Sequence, residues 1–297
     1  MDDILQELRR YHSVLILNEP FTNDRVESFM KDLDVLYVEW CASYMVTVSH
    51  LPKTCKIVCR LHGHEIAGQW MKEIAWSKID LMIFVNDHPL ELFHRAYPST
   101  KVKSTVIQEG VNMEKFTHSP GRGFGKRIGF VGHLRPRKDP LPVINMMSQL
   151  PRWSLYVRSD PSAYPKLEEA CMNRIKELPN VHHVPRVKDM NEYYHGLDIF
   201  VNNSLYESQG IAILEAMASD AYPLIRDWPQ VPGVAGKLYS EEAIFRSIDE
   251  CRQKILSWVR LPVKEKRLKS SEMREFVDKN YNSRQYTGKM RDAIEQV

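Results

Sequence analysis

The sequence has no pair of cysteines two residues apart, and its five cysteines, at positions 41, 55, 59, 171 and 251, follow no zinc-type spacing. An odd count with no secretory leader argues against a disulfide framework and suits a reducing compartment, so the expected setting is cytoplasmic. Long apolar runs are missing as well. The densest, Leu81 to Val85, falls far short of the roughly 18 to 20 residues that span a bilayer. The opening "MDDILQELRRYHS" begins with two acids and has no uninterrupted apolar core. Charge of one sign is scarce too: 41 basic against 38 acidic residues leave a net charge of +3 and a pI near 8.5. That excess is too small for a nucleic-acid-binding polycation, so any anionic partner must be met locally. There is no internal repeat and no low-complexity segment.

What the chain does have is length and alternation. Its 297 residues, 43% of them hydrophobic, suffice for one large core or two ordinary ones. Short β-branched runs read as strands: "SVLILN" (13–18), "DVLYVEW" (34–40), "KIVCRL" (56–61), "DLMIFVN" (80–86) and "STVIQE" (104–109). Helical patterns lie between them, as in "HEIAGQWMKEIAWSK", where Ile66, Trp70, Ile74 and Ser77 trace one face. At "FTHSPGRGFGKR" (116–127) the pattern breaks into a Gly, Pro, Ser and Arg-containing linker. It restarts with "RIGFVG" (127–132), "WSLYVR" (153–158), "NVHHVP" (180–185), "DIFVNNS" (198–204) and "AYPLI" (221–225). A long helical segment follows from about residue 240, broken near Leu261 and Pro262. The alternation predicts two doubly wound parallel-sheet α/β domains, 1–118 and 127–297, joined by a linker at 119–126, with the terminal helices packing back on the first. Ligands in such folds meet strand C-terminal ends and helix N-termini.

One stretch places acids in an unusual position. In "ESQGIAILEAMASD" (207–220), Ile211, Leu214 and Ala218 mark an apolar helical face, and Glu215, four residues after Ile211, shares it. Gly210 allows close backbone approach just before the helix, whose free N–H groups can face a phosphate. Glu207 stands at the helix mouth and Glu215 about two turns further in. The pair can therefore address two parts of one elongated ligand, although glutamates eight apart also arise by chance, and a glutamate on an apolar face usually just reaches for water.

With "ESQG" before and "EAMAS" after, these residues resemble the EX7E motif of retaining glycosyltransferases of the GT-B fold, in particular the large GT4 family. The resemblance implies two Rossmann-like domains facing across a cleft, here with a shortened N-terminal domain. It places Glu207 at the donor sugar, Ser208, Gln209, Gly210 and Ile211 around sugar and phosphate, and Glu215 at the ribose hydroxyls. A second segment, "IGFVGHLRPRKDP" (128–140), is similar to the family's "VGRLxxxKG". Lys138 matches the catalytic Lys that neutralises the departing diphosphate. His133 stands where the family has Arg, so that Arg135 or Arg137 supplies the missing charge or His133 binds as the cation. Asp139 replaces the usual Gly. In the first domain, "CRLHGHEIAG" resembles the family's "LHG" setting and places His62 near the reacting sugar and acceptor. "VIQEGVNMEKF" (106–116) is similar to "VIPNGVDxxxF" at the domain junction, with Glu109 in place of Asn. "VPRVKDM" (184–190) offers Arg186 and Val187 to the nucleotide base.

Other signals are poorer. His64 and Glu65 imitate a metal site without a third ligand, so no metal is expected. Asp32 to Asp34 imitate a DxD but precede a strand and read as a turn. His182 and His183 lie within a short strand. The match is strong from 127 to 225, looser from 55 to 116 and thin before that, where "LILNEPFTND" lacks the family's glycine-rich loop.

The resulting expectation is a retaining, metal-independent transfer of sugar from a nucleotide-diphosphate sugar, UDP- or GDP-linked, to a glycan, lipid-linked or small-molecule acceptor, with no cofactor. A non-catalytic nucleotide-sugar-binding or scaffold protein of the same fold is the alternative. A partner chain completing the short first domain is kept open. So is weak peripheral contact of Ile4, Leu5, Leu8, Arg9 and Arg10 with the inner membrane face, against which Asp2, Asp3 and Glu7 argue.

Overall fold

A computed structural model describes residues 2–119, 121 and 123–297. Pro120 and Arg122 of the expected linker lie outside the described residues, as does the side chain of Asp2. The chain forms two units, residues 1–110 with 283–297, and residues 111–282.

The first unit is built on four parallel strands, β1 (Val35–Glu39), β2 (Lys56–Leu61), β3 (Leu81–Phe84) and β4 (Lys103–Val106), in the order β1-β2-β3-β4. That order never reverses. The period of two divides the side chains between two cores. Ile57, Cys59, Leu61, Met82 and Phe84 pack with α2 (Asn23–Lys31), α3 (Tyr44–His50) and α4 (Asp87–Ala96) through Met30, Met45 and Phe93. Val58, Leu81 and Ile83 turn to the other side, where α1 (Asp2–Arg9) brings Ile4 and Leu8 and the chain's last helix brings Tyr286, Met290 and Ile294. Each such buried aliphatic side chain contributes about 1.5 to 3 kcal/mol. The apolar side of α1, with Ile4 2% and Leu8 8% exposed, is thus spent on protein. Among the described residues no helix is long and apolar enough to cross a membrane.

Two expectations fail in this unit. Residues 13–18 form no strand. Val14 packs with one core and Leu17 with the other, but Leu15 and Ile16, which a strand would bury beside them on the same two faces, remain exposed. The pattern at 64–78 forms not one helix but three 3-10 turns, His64–Ala67, Gln69–Lys72 and Trp76–Lys78. The Trp70 indole lies so close over Gly68 that a Cβ there would stand 2.4 Å from the ring, and its Nε1 donates to the Cys41 carbonyl at 2.9 Å. Of the predicted face Ile74 is buried and Ile66 and Trp70 pack against the core, but Ser77 is exposed and Glu65 and Met71, off that face, are buried.

The second unit carries six parallel strands: β5 (Arg127–Val131), β6 (Ser154–Arg158), β7 (Val181–Val184), β8 (Ile199–Asn202), β9 (Tyr222–Arg226) and a short β10 (Ile244–Phe245) that sequence reasoning did not foresee. Their order, β10-β9-β8-β5-β6-β7, reverses between β5 and β8. Both faces are covered, by α5 (Pro140–Met146), α6 (Pro165–Glu177), α7 (Met190–His195), α8 (Ile211–Ala218), α9 (Val234–Leu238), α10 (Ile248–Arg260) and α11 (Val263–Tyr281). The inner strands β8 and β9 accordingly read as nearly continuous buried runs. The break expected at Leu261 and Pro262 separates α10 from α11. The closing helix, α12 (Ser283–Glu295), belongs to the first unit.

Candidate functional site

In a doubly wound sheet, ligands bind beyond the strand C-termini where the strand order reverses. Here that point is flanked by the loop after β5, residues 132–139, and the loop after β8, residues 203–210. These are the two stretches singled out in the sequence.

The loops meet at Glu207, only 5% exposed. Lys138 Nζ contacts its Oε1, Arg137 Nη1 lies 2.8 Å from its Oε2, and the Ser204 hydroxyl donates to Oε1 at 2.7 Å. Burial works against the carboxylate's charge, but the charges of Lys138 and Arg137 and their hydrogen bonds more than offset it and draw the pKa down to about 2. Gly132, at φ 146°, makes room for Lys138: a Cβ would stand 3.2 Å from that side chain's Cε. A 3-10 turn over Pro136–Lys138 then delivers Arg137 and Lys138 together, and it closes on Asp139, held at φ 45° by Arg226 at 2.7 Å and by Asn203. The replacement of the family's Gly by Asp139 is thereby accommodated.

The loops are tied by Leu205 N–H donating to Arg137 O at 2.8 Å and by Arg137 Nη1 donating to Tyr206 O at 3.0 Å. Ser208 is half-buried with its Oγ 3.3 Å from the Tyr206 hydroxyl, and the buried Gln209 accepts from the Tyr239 hydroxyl through its carbonyl. Gly210, at φ 80°, caps α8 just before Ile211, and a Cβ there would meet Ile213 Cδ1 at 2.7 Å. Helix α8 is covered nearly all round, with Ile213, Leu214, Ala216, Met217 and Ala218 buried. Ile211 and Glu215 sit on its less covered side. The Tyr194 hydroxyl donates to Glu215 Oε2 at 3.0 Å. Burial, and then the charge of Glu215, pushes that phenol well above its ordinary pKa, so Tyr194 remains a neutral donor.

The other basic candidates go elsewhere. His133 is exposed, with Nδ1 3.3 Å from the Pro161 carbonyl oxygen. Arg135 is half-buried, its Nε without a hydrogen-bond partner, and burial with the neighbouring Arg137 lowers its pKa. Arg186 is exposed and Val187 half-buried between β7 and α7. Arg137, not His133, is therefore the second cation on Glu207.

His62 occupies a separate cluster within the first unit, beyond the end of β2. Its Nε2 lies 2.5 Å from Glu39 Oε1, its Nδ1 3.4 Å from Glu109 Oε1, and its backbone N–H donates to Glu65 at 3.1 Å. Arg60, 2% exposed, lies 3.2 Å from Glu39 and 3.5 Å from Glu109, and also meets the hydroxyl and ring face of Tyr286. Burial again opposes the Glu39 charge, but His62 and Arg60 bring its pKa to about 2. Glu109, expected as a junction residue, is thus part of this cluster. Sequence reasoning missed Glu39, Arg60 and Tyr286; the signal was a charged residue inside each of two otherwise apolar strands. Among the described residues no group of three or more His, Cys, Asp or Glu side chains is arranged to hold a metal ion.

The strand reversal, the loop cations and the acid pair mark the candidate ligand site of the second unit. Residues 125–251, all within the second unit, match the family described as glycosyl transferases group 1. No curated protein sequence matches the chain. Among solved structures it is similar to Alr3699/HepE of Anabaena in complex with UDP-glucose, at TM-score 0.77 and 13% identity over 99% of this chain and 89% of that one. A glycosyltransferase from Rickettsia africae ESF-5 gives 0.72 and 15%, over 98% and 87%. Sucrose-phosphate synthase from Thermosynechococcus elongatus gives 0.73 and 15%, over 92% and 76%. Residues 125–251 thus resemble a group 1 glycosyl transferase domain, and the chain has the GT-B fold shared by these structures.

Proposed function

We propose that the protein transfers a hexose from a UDP-linked donor to a glycan, lipid-linked or small-molecule acceptor, with retention of anomeric configuration and without a metal ion. The observation that carries this reading is the convergence of Lys138, Arg137 and Glu207 where the strand order of the second unit reverses. As the sugar leaves, negative charge builds on the β-phosphate oxygen of the departing nucleotide, and two partly buried cations lower that barrier. Their number matters because no metal is asked to share the task. Glu207 fixes the cations and addresses the sugar hydroxyls; Ser208, Gln209, Gly210 and Ile211 offer backbone groups at the mouth of α8 to the diphosphate.

Glu215, held by Tyr194, takes the ribose hydroxyls, and Arg186 and Val187 take the base. The Anabaena structure contains UDP-glucose, which supports UDP as the nucleotide to try first. The test is a thermal-shift panel with UDP, GDP, ADP and CMP, followed by turnover of UDP-glucose with and without EDTA. A shift with UDP that is lost in Glu215→Ala and Lys138→Ala, with EDTA-insensitive turnover that is lost in Glu207→Ala, is the expected result. Binding without turnover would favour a nucleotide-sugar-binding scaffold, and turnover abolished by EDTA would reject the metal-independent reading.

A further inference from the structure

The cluster around His62 presents one side chain to solvent in a way that packing alone does not require. Trp40 follows β1 with a φ of 72°, a left-handed backbone that bulky residues rarely adopt. The Tyr44 hydroxyl fixes this turn by sharing its proton between the Glu39 carbonyl oxygen at 2.6 Å and the Trp40 carbonyl oxygen at 2.8 Å. The indole lies on the His62 imidazole, with ring centroids 3.7 Å apart and planes within 19°, and still leaves Trp40 40% exposed. The His64 ring stands 5.5 Å away, tilted by 58°.

Glycine or asparagine would make the same turn with less strain. Strain of this kind collects where a side chain meets a ligand. The support beneath the ring points the same way. With its two nitrogens facing Glu39 and Glu109, His62 turns its ring face, not a vacant nitrogen, towards the indole. The exposed part of the indole is therefore a flat apolar surface on a rigid base, with the exposed imidazole of His64 at its edge.

We propose that Trp40 is a stacking platform for a pyranose ring of the acceptor. A pyranose offers a face of C–H bonds carrying partial positive charge, which suits the negative face of an indole, while its equatorial hydroxyls require polar neighbours such as His64. A lipid chain would use the apolar surface but gain nothing from the histidine. The proposal rests on the transferase reading and narrows its acceptor to a carbohydrate. His62, on this account, is a positioning residue.

Saturation-transfer NMR on the full chain tests it, with UDP and four disaccharides (maltose, cellobiose, lactose and diacetylchitobiose) as separate probes. The expected result is saturation of ring C–H protons in at least one disaccharide with the wild type. That affinity should weaken by about tenfold in Trp40→Gly, which suits the positive φ, and less in Trp40→Phe, which keeps a ring. The UDP signal should be unchanged in both variants. Disaccharide contacts equal in Trp40→Gly and wild type, or none with any of the four, would overturn the platform. If UDP fails to bind while the Trp40-dependent contact persists, the platform stands and the donor reading falls.

Discussion

Lys138 and Glu207 form an ion pair whose side chains are only 13% and 6% exposed, joining the loop after β5 to the loop after β8. Among the described residues Glu207 is the ion-pair partner of Lys138, and a phosphate oxygen is the ligand that would compete for such a cation most effectively. On the proposed function the pair links stability to chemistry, since what holds the two loops together is also what would meet the leaving group.

Lys138→Ala removes the cation from both tasks. Turnover of UDP-glucose should fall by about two to three orders of magnitude, as for loss of one charge-stabilising donor. Because Arg137 and Ser204 still contact Glu207, the fold should survive with a loss of about 1 to 3 kcal/mol. Retention of more than about a tenth of wild-type turnover would remove Lys138 from the catalytic set.

Acid should weaken the fold through Glu207 and Glu39. Each has a folded pKa drawn from the ordinary 4.5 to about 2. Groups shifted in this direction contribute stability that is present above the unfolded value and lost as the pH falls through 4.5 towards 2. Urea melts between pH 7 and pH 3 should show stability declining below about pH 5, and Glu207→Gln should flatten part of that decline while costing stability at pH 7. An unchanged slope in the variant would mean that the Glu207 ion pairs do not hold in solution.

Arg137→Ala and His133→Ala separate two basic residues that the family pattern alone would rank the other way round. Arg137 touches Glu207 and the Tyr206 carbonyl, whereas exposed His133 lies near the Pro161 carbonyl and the Asp160 charge. Loss of Arg137 should lower kcat by about a hundredfold, and loss of His133 should leave kcat within about threefold and the melting temperature unchanged. The reverse order would make His133 the diphosphate ligand.

These residues show what was legible in the sequence. Glu207, Gly210, Glu215 and Lys138 lie on short stretches whose spacing is their geometry, so a linear pattern suffices to find them. Which of the four basic residues in "HLRPRKD" turn inward is not linear, because it depends on the 3-10 turn at Pro136–Lys138 and the left-handed Asp139 that ends it. The cluster of Glu39, Arg60, His62, Glu109 and Tyr286 is assembled from β1, β2, the chain after β4 and the last helix, and so leaves no contiguous trace. The buried runs of β5, β6 and β8 were readable because both their faces are covered. Residues 13–18, equally apolar, divide between two cores through Val14 and Leu17 and never become a strand.

Tyr194→Phe tests the role of Glu215 without touching Glu215 itself. Tyr194 is fully buried, and its ring packs among Phe116, Tyr193 and Phe200, all of which phenylalanine can still contact. The substitution removes the hydroxyl that donates to Oε2 and costs about 1 kcal/mol of stability. A carboxylate that has lost this anchor pays more rotamer entropy to grip a ribose, so KM for the donor should rise several-fold. The Lys138 and Arg137 contacts that act as charge builds on the phosphate are untouched, and kcat should hold. A fall in kcat at constant KM would place Glu215 with the reacting sugar instead of the ribose, and no change in either would mean that Tyr194 serves packing alone.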